Sequence, residues 1–168
     1  MGMGCSSVKE AVYDKNKRRE LANETKKTYS GSSVSKDAAL KNAIVGTASK
    51  NLGVKYKYGG INPKEGFDCS GLVYYSAKSN NIDLPRSSAL LADSAPHSNW
   101  KSASPGDLIF FGEKGKVNHV AIVEKKRADE LWVIHSTSSR GVISENVLSS
   151  SYWNKRILFS IEFSRLLK

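Results

Sequence analysis

Cysteine is scarce in this chain, with only Cys5 and Cys69 among 168 residues. Two cysteines cannot build the multi-bridge framework of a small disulfide scaffold. A single Cys5–Cys69 bridge would tie a polar terminus to the middle of the chain. Long apolar runs are also missing. None approaches the ~18–20 residues that a membrane-spanning helix needs. There is no internal repeat. No recognition helix, array of stacking aromatics or zinc-finger spacing is present, so nucleic acid is not an expected partner. Acidic residues are the minority, 16 against 26 Lys and Arg, giving a net charge of +10 and a pI near 9.6. Such a balance suits anionic surfaces, although a solvated basic surface accounts for the charge by itself.

What is present is enough apolar material, 39% of residues, for one core. Residues 1–36 are rich in Lys, Ser, Asn and Glu and carry eight basic and four acidic side chains. They read as a polar basic tether, with a weak helix around Lys9–Thr25 and a linker over Tyr29–Ser35. The folded domain is expected over residues 37–168. Leu40, Ile44, Ala48 and Leu52 share one helical face, with Gly53 as a stop. Pro85-Arg86-Ser87-Ser88 opens a short helix through Ala92. After Pro105-Gly106-Asp107 the pattern changes to strands: Asp107–Phe111, His119–Glu124, Leu131–His135, Gly141–Ser144 and Ile157–Phe163. Helices first and a meander afterwards indicate an α+β domain, with helices packed on an antiparallel sheet of about five strands.

The chemistry gathers around Asp68-Cys69-Ser70-Gly71. A glycine-rich run, Tyr56-Lys57-Tyr58-Gly59-Gly60, precedes it. The apolar segment Leu72-Val73-Tyr74-Tyr75-Ser76-Ala77 follows and predicts a helix ending near Asn80-Asn81. A cysteine at a helix entry meets unpaired backbone N–H groups and the positive end of the dipole, which favour thiolate. Alternation places His119 with Ala121 and Val123, and His135 with Leu131 and Val133. If the two strands are antiparallel neighbours, both imidazoles emerge on one side of the sheet, and the Cys69 helix is expected to pack on that side. A poised cysteine, a base and a group that orients the base are the parts of a cysteine hydrolase. His97 sits in a loop without pattern and is read as structural. Arg86 is read as a solvated or ion-paired helix-start residue.

Taken together, Tyr58-Gly59-Gly60, Phe67-Asp68-Cys69-Ser70-Gly71-Leu72-Val73, Leu84-Pro85-Arg86-Ser87-Ser88, Pro105-Gly106-Asp107-Leu108-Ile109-Phe110-Phe111, Asn118-His119-Val120-Ala121-Ile122-Val123, Ile134-His135 and Tyr152-Trp153 resemble the NlpC/P60 family of cell-wall cysteine peptidases. The resemblance covers roughly residues 37–165. It implies a papain-like core and cleavage of peptidoglycan stem peptides at the bond between γ-D-glutamate and a diamino acid, with no cofactor and no metal. It implies Cys69 as nucleophile, His119 as base and His135 as the residue that orients it. Tyr58 matches a tyrosine near the nucleophile, or packs the glycine loop. Asp68 and Ser70 match positions that help bind the amino end of the stem peptide, and Asp68 equally suits the helix terminus. The pattern departs from the family at Leu91, where a glutamine is frequent.

Gly4-Cys5-Ser6-Ser7 looks like the junction of a bacterial lipoprotein, which makes Cys5 a lipidation candidate and a lipid-anchored, periplasmic place in the cell envelope the expectation. Gly2 with Ser6 also satisfies a loose myristoylation pattern, and a start without any anchor is the third reading. No cell-wall binding module accompanies the domain, and a monomer is expected. Three other functions use the same residues, one of them another thiol reaction such as acyl transfer on the same fold. One Cys and two His are zinc-competent ligands, and a peptidase fold can serve as a non-catalytic peptidoglycan-binding module.

Overall fold

The computed structural model describes residues 36–167. The tether, apart from Lys36, and with it every reading of Cys5, lies outside the described residues. The first helix, α1, spans residues 36–49. It buries Ile44 and Ala48 completely and packs Leu40 beside them. Leu52, expected on the same stripe, lies beyond the helix end and is 45% exposed. Gly53 takes the left-handed conformation there, φ 84°. A two-stranded ribbon that the sequence reading missed, β1 (Ile61–Asn62) with β2 (Gly66–Phe67), leads into α2 (Cys69–Lys78). A short α3 (Ser88–Ala92) follows, capped by Ser87, whose side chain accepts from Leu90 N.

Five strands then form a continuous antiparallel sheet: β3 (Leu108–Glu113), β4 (Lys116–Lys126), β5 (Leu131–Thr137), β6 (Gly141–Asn146) and β7 (Ile157–Ile161), in the order β6-β5-β4-β3-β7. The expected α+β architecture with about five antiparallel strands is therefore the observed one. Alternation divides the sheet side chains between two apolar layers. Leu108, Phe110, Val120, Ile122, Ile134 and Val142 face Leu72, Val73 and Ala77 of α2, together with Ile44, Ala48 and Leu91. Ile109, Phe111, Ala121, Val123, Leu131 and Val133 face Trp100, Val147, Leu148 and Trp153. Leu91, where the family pattern has a polar residue, is fully buried in the first layer.

This division corrects one expectation. The histidines alternate with Val120 and Ile134, so they belong to the second layer, where His119 lies against Phe111 and Trp153. The α2 helix packs on the first. Cys69 is the first residue of α2, and from that tip it shares a cavity wall with His119 although α2 covers the other layer. One buried acid and a pair of backbone bonds fix the frame. Asp107 accepts from Phe163 N and Ser104 N and pairs with Lys41 Nζ at 2.7 Å, tying α1 to the start of β3. Backbone bonds from Gly53 N to Val142 O and from Val142 N to Val54 O, both 2.9 Å, pin the segment after α1 to β6. Among the described residues no helix is long and apolar enough to cross a membrane.

Candidate active site

The site begins with Asp68. It is the N-cap of α2, accepting from Gly71 N at 2.7 Å. Its other oxygen accepts from Gly59 N at 2.8 Å, so one carboxylate joins the glycine turn to the helix that carries Cys69. Gly59 needs its left-handed φ of 73° for that turn. Gly60 and Gly71 are required for closeness: a Cβ on Gly71 would stand 1.9 Å from Gly60 O. Arg86 completes the clamp. Its Nη1 and Nη2 each lie 2.9 Å from an Asp68 oxygen, Nη1 also donates to Ser70 Oγ at 2.9 Å, and Nη2 to Gly60 O at 3.1 Å. Burial by itself would raise the Asp68 carboxyl, but the Arg86 hydrogen bond and the Gly71 and Gly59 amides outweigh it and hold the group below the usual carboxylate range. Asp68 and Ser70 are thus occupied by Arg86 and by backbone, and neither lines the cavity described next. The ion-pair reading of Arg86 is the observed one.

A cavity of about 590 Å³ opens beside Cys69. Its walls include Tyr56, Asn118, His119, the segment Ser136–Arg140, Tyr152 and Trp153. Tyr58, expected near the nucleophile, is 88% exposed and is not part of this wall. Tyr56, two residues earlier, takes that place. Backbone pairing explains the exchange: Tyr56 is bridged to Phe67, the residue before Asp68, whereas Tyr58 is at the tip of the turn. His97 stands apart, stacked on Phe159 with ring centroids 3.5 Å apart and donating to Ala92 O, in keeping with a structural role.

His119 Nε2 faces His135 Nδ1 at 2.9 Å, and His135 Nε2 faces Glu145 Oε1 at 2.8 Å. The pairing of Val133 with Glu145 across β5 and β6 puts that carboxylate on the histidine face. Trp153 stacks on His119 at 4.5 Å, 28° between planes, and its Nε1 donates to Glu145 Oε1 at 3.0 Å. Glu145 had not been singled out from the sequence. Alternation within Gly141–Asn146 marks the face it shares with Ile143, but choosing its partner requires the β5–β6 register. Both His135 nitrogens are engaged, so the set is not arranged as zinc ligands. Among the described residues no three His, Cys, Asp or Glu side chains converge as a metal site.

The electrostatics reverse the expected thiolate. Burial pushes the Cys69 thiol up, with the Asp68 charge adding to it, and this exceeds the lowering by the backbone amides of Val120, Ser70 and Cys69. Burial, with the neighbouring His135, pushes His119 down to about 3. Burial also lowers His135, despite the hydrogen bond to Glu145. Glu145 is itself lowered to about 2, first by that hydrogen bond and then by Arg140. Tyr56 is raised by burial and by the adjacent Cys69 and Asp68, so its phenol stays protonated. Burial thus favours the uncharged form of the thiol and of both imidazoles, while Glu145 is held as a carboxylate.

Residues 53–162 match the model of the NlpC/P60 family. The chain is 40% identical over 111 residues to the gamma-DL-glutamyl hydrolase of Bacillus subtilis, a match covering 66% of this chain and 27% of that protein. It is 32% identical over 126 residues to the bifunctional muramidase/DL-endopeptidase CwlT of the same species, covering 73% and 36%. The chain thus spans about a quarter to a third of these relatives' lengths. Among solved structures, the NlpC/P60 domain of the peptidoglycan hydrolase SagA superposes with a TM-score of 0.61 at 28% identity, covering 72% of this chain and 97% of that one.

Proposed function

The chain belongs to the NlpC/P60 family, and on that premise we propose that it is a cysteine endopeptidase cleaving peptidoglycan stem peptides at the γ-D-glutamyl–diamino acid bond. The observation that carries this reading is the meeting of Cys69 and His119 on one cavity wall, with His119 held by His135 at 2.9 Å. In the proposed reaction the Cys69 sulfur attacks the γ-glutamyl carbonyl while His119 takes the thiol proton. His119 then gives that proton to the leaving amine, and water hydrolyses the thioester with His119 again as base. Burial favours the neutral thiol and the neutral imidazole, so in the proposed reaction charge on His119 develops as the thiol proton is transferred. The amides at the start of α2 and the Tyr56 hydroxyl are the candidate oxyanion donors. One such donor is worth about 2.7–4 kcal/mol.

The relatives named above support this bond through the glutamyl hydrolase and DL-endopeptidase activities their names carry. Residues 37–168 form the catalytic domain, residues 1–36 a basic tether, and Cys5 the site of lipidation, so that the enzyme works on the wall from a membrane surface in the cell envelope. The test is incubation of the full chain with purified muropeptides and identification of products by mass. Products cut after γ-D-glutamate, absent with Cys69→Ala, are expected. Intact muropeptides after prolonged incubation with well-folded protein would overturn the assignment.

A further inference from the structure

We propose that Glu145 is the positioning residue that sets the tautomers of both imidazoles, leaving Nδ1 of His119 as the base. Donors and acceptors around Glu145 fix the proton positions. Glu145 Oε1 faces three groups: His135 Nε2 at 2.8 Å, Arg140 Nη2 at 2.7 Å and Trp153 Nε1 at 3.0 Å. Two of these, the guanidinium and the indole, can only donate. An oxygen that already accepts from both is a carboxylate acceptor, so the third group must donate as well. Hence Nε2 of His135 carries its proton. A neutral imidazole bears one proton, so Nδ1 of His135 is an acceptor. It faces His119 Nε2 at 2.9 Å, and Nε2 of His119 must therefore be the donor. The lone pair left over in this chain is on His119 Nδ1, and His119 shares the cavity wall with Cys69.

The surroundings allow few alternatives. His135 is fully buried and has no water-facing side through which to exchange tautomers cheaply. The stacked Trp153 ring fixes the plane of His119 while its own N–H fixes Glu145, so ring orientation and proton pattern are held by the same side chain. His135 alone cannot choose between donating and accepting toward His119; a group beyond it must decide, and Glu145 is the group it meets. The same carboxylate faces the imidazolium that forms on His119, through His135, during attack.

The catalytic consequence rests on the peptidase reading, whereas the tautomers do not, and the experiment separates the two. Nitrogen-15 NMR of the imidazoles in the wild-type full-length protein reads the proton positions directly. Both histidines protonated at Nε2 is the expected result; His135 protonated at Nδ1 overturns the proposal whatever the activity. Kinetics on muropeptides then compare Glu145→Ala with Glu145→Gln. The alanine variant should lose about 100-fold in kcat, within the range a positioned general base contributes, with KM within about twofold. The glutamine variant should recover part of that loss, because Arg140 and Trp153 still direct an acceptor oxygen toward His135. Should Glu145→Ala fail to fold, the wild-type spectra and the near-isosteric glutamine variant carry the test. Unchanged tautomers and unchanged kcat in a folded Glu145 variant would also overturn it.

Discussion

Replacing Arg86 with methionine should cost about 2 kcal/mol of folding stability. The estimate follows from where the Asp68–Arg86 pair lies. Breaking a fully buried pair costs about 3–5 kcal/mol, and an exposed one about 0–1. Here the Asp68 side chain is 13% exposed and that of Arg86 35%, which places the pair between these limits. Asp68 would keep the Gly71 and Gly59 amides, so the carboxylate is not orphaned. A loss of about 2 kcal/mol lowers the folding equilibrium constant roughly 30-fold, and Tm by about 4–8 °C for a chain of this size. The effect has a pH signature. Asp68 is held below its unfolded value, so its contribution is fully present above about pH 4 and is lost as pH falls through the lower folded value. The gap between wild type and Arg86→Met in urea unfolding should therefore be constant near neutrality and narrow on acidification below about pH 4. A double-mutant cycle with Asp68→Asn should show coupling. A gap under about 0.5 kcal/mol, or one indifferent to acid, would refute the clamp.

Two further outcomes test the site. In a Cys5→Ser background, alkylation of Cys69 should follow a midpoint above the ordinary thiol value of ~8.5, since burial raises the group; a midpoint below pH 7 would restore the thiolate–imidazolium pair suggested by the helix entry. Tyr56→Phe should lower muropeptide turnover by about 100-fold if its hydroxyl serves as an oxyanion donor, whereas Tyr58→Ala should stay within about twofold. Equal losses in the two variants would return Tyr58 to the site.

Local chemistry was legible in the sequence, and pairing across the chain was not. The helix entry at Asp68-Cys69-Ser70 and the strands bearing His119 and His135 follow from capping and period-two alternation, which depend on near neighbours. The same alternation placed both imidazoles on one face. It gave no means of deciding which face α2 covers, because Leu72 and Val73 pack against Val120 and Ile134 just as readily as they would against the layer beyond. Arg86 and Asp68 are 18 residues apart and meet only after the ribbon and α2 have folded. Glu145 needs the register of β6 on β5. Tyr56 and Tyr58 stand in an irregular segment, where a period of two has no strand to act on. The thiol is a different case: the helix-end amides do act on Cys69, but burial opposes them and is invisible in a local motif.

The packing of Cys69 and His119 with opposite layers of the sheet has a consequence for the proposed mechanism. Cys69 is delivered by the helical layer, and His119 by the layer closed over by Trp153. No fragment of the domain holds both, and a half-packed state with either layer loose would separate them. On the proposed mechanism, turnover would require both layers to be packed at once, so a chain whose last strands, β6 and β7, had not yet joined the sheet would be inert.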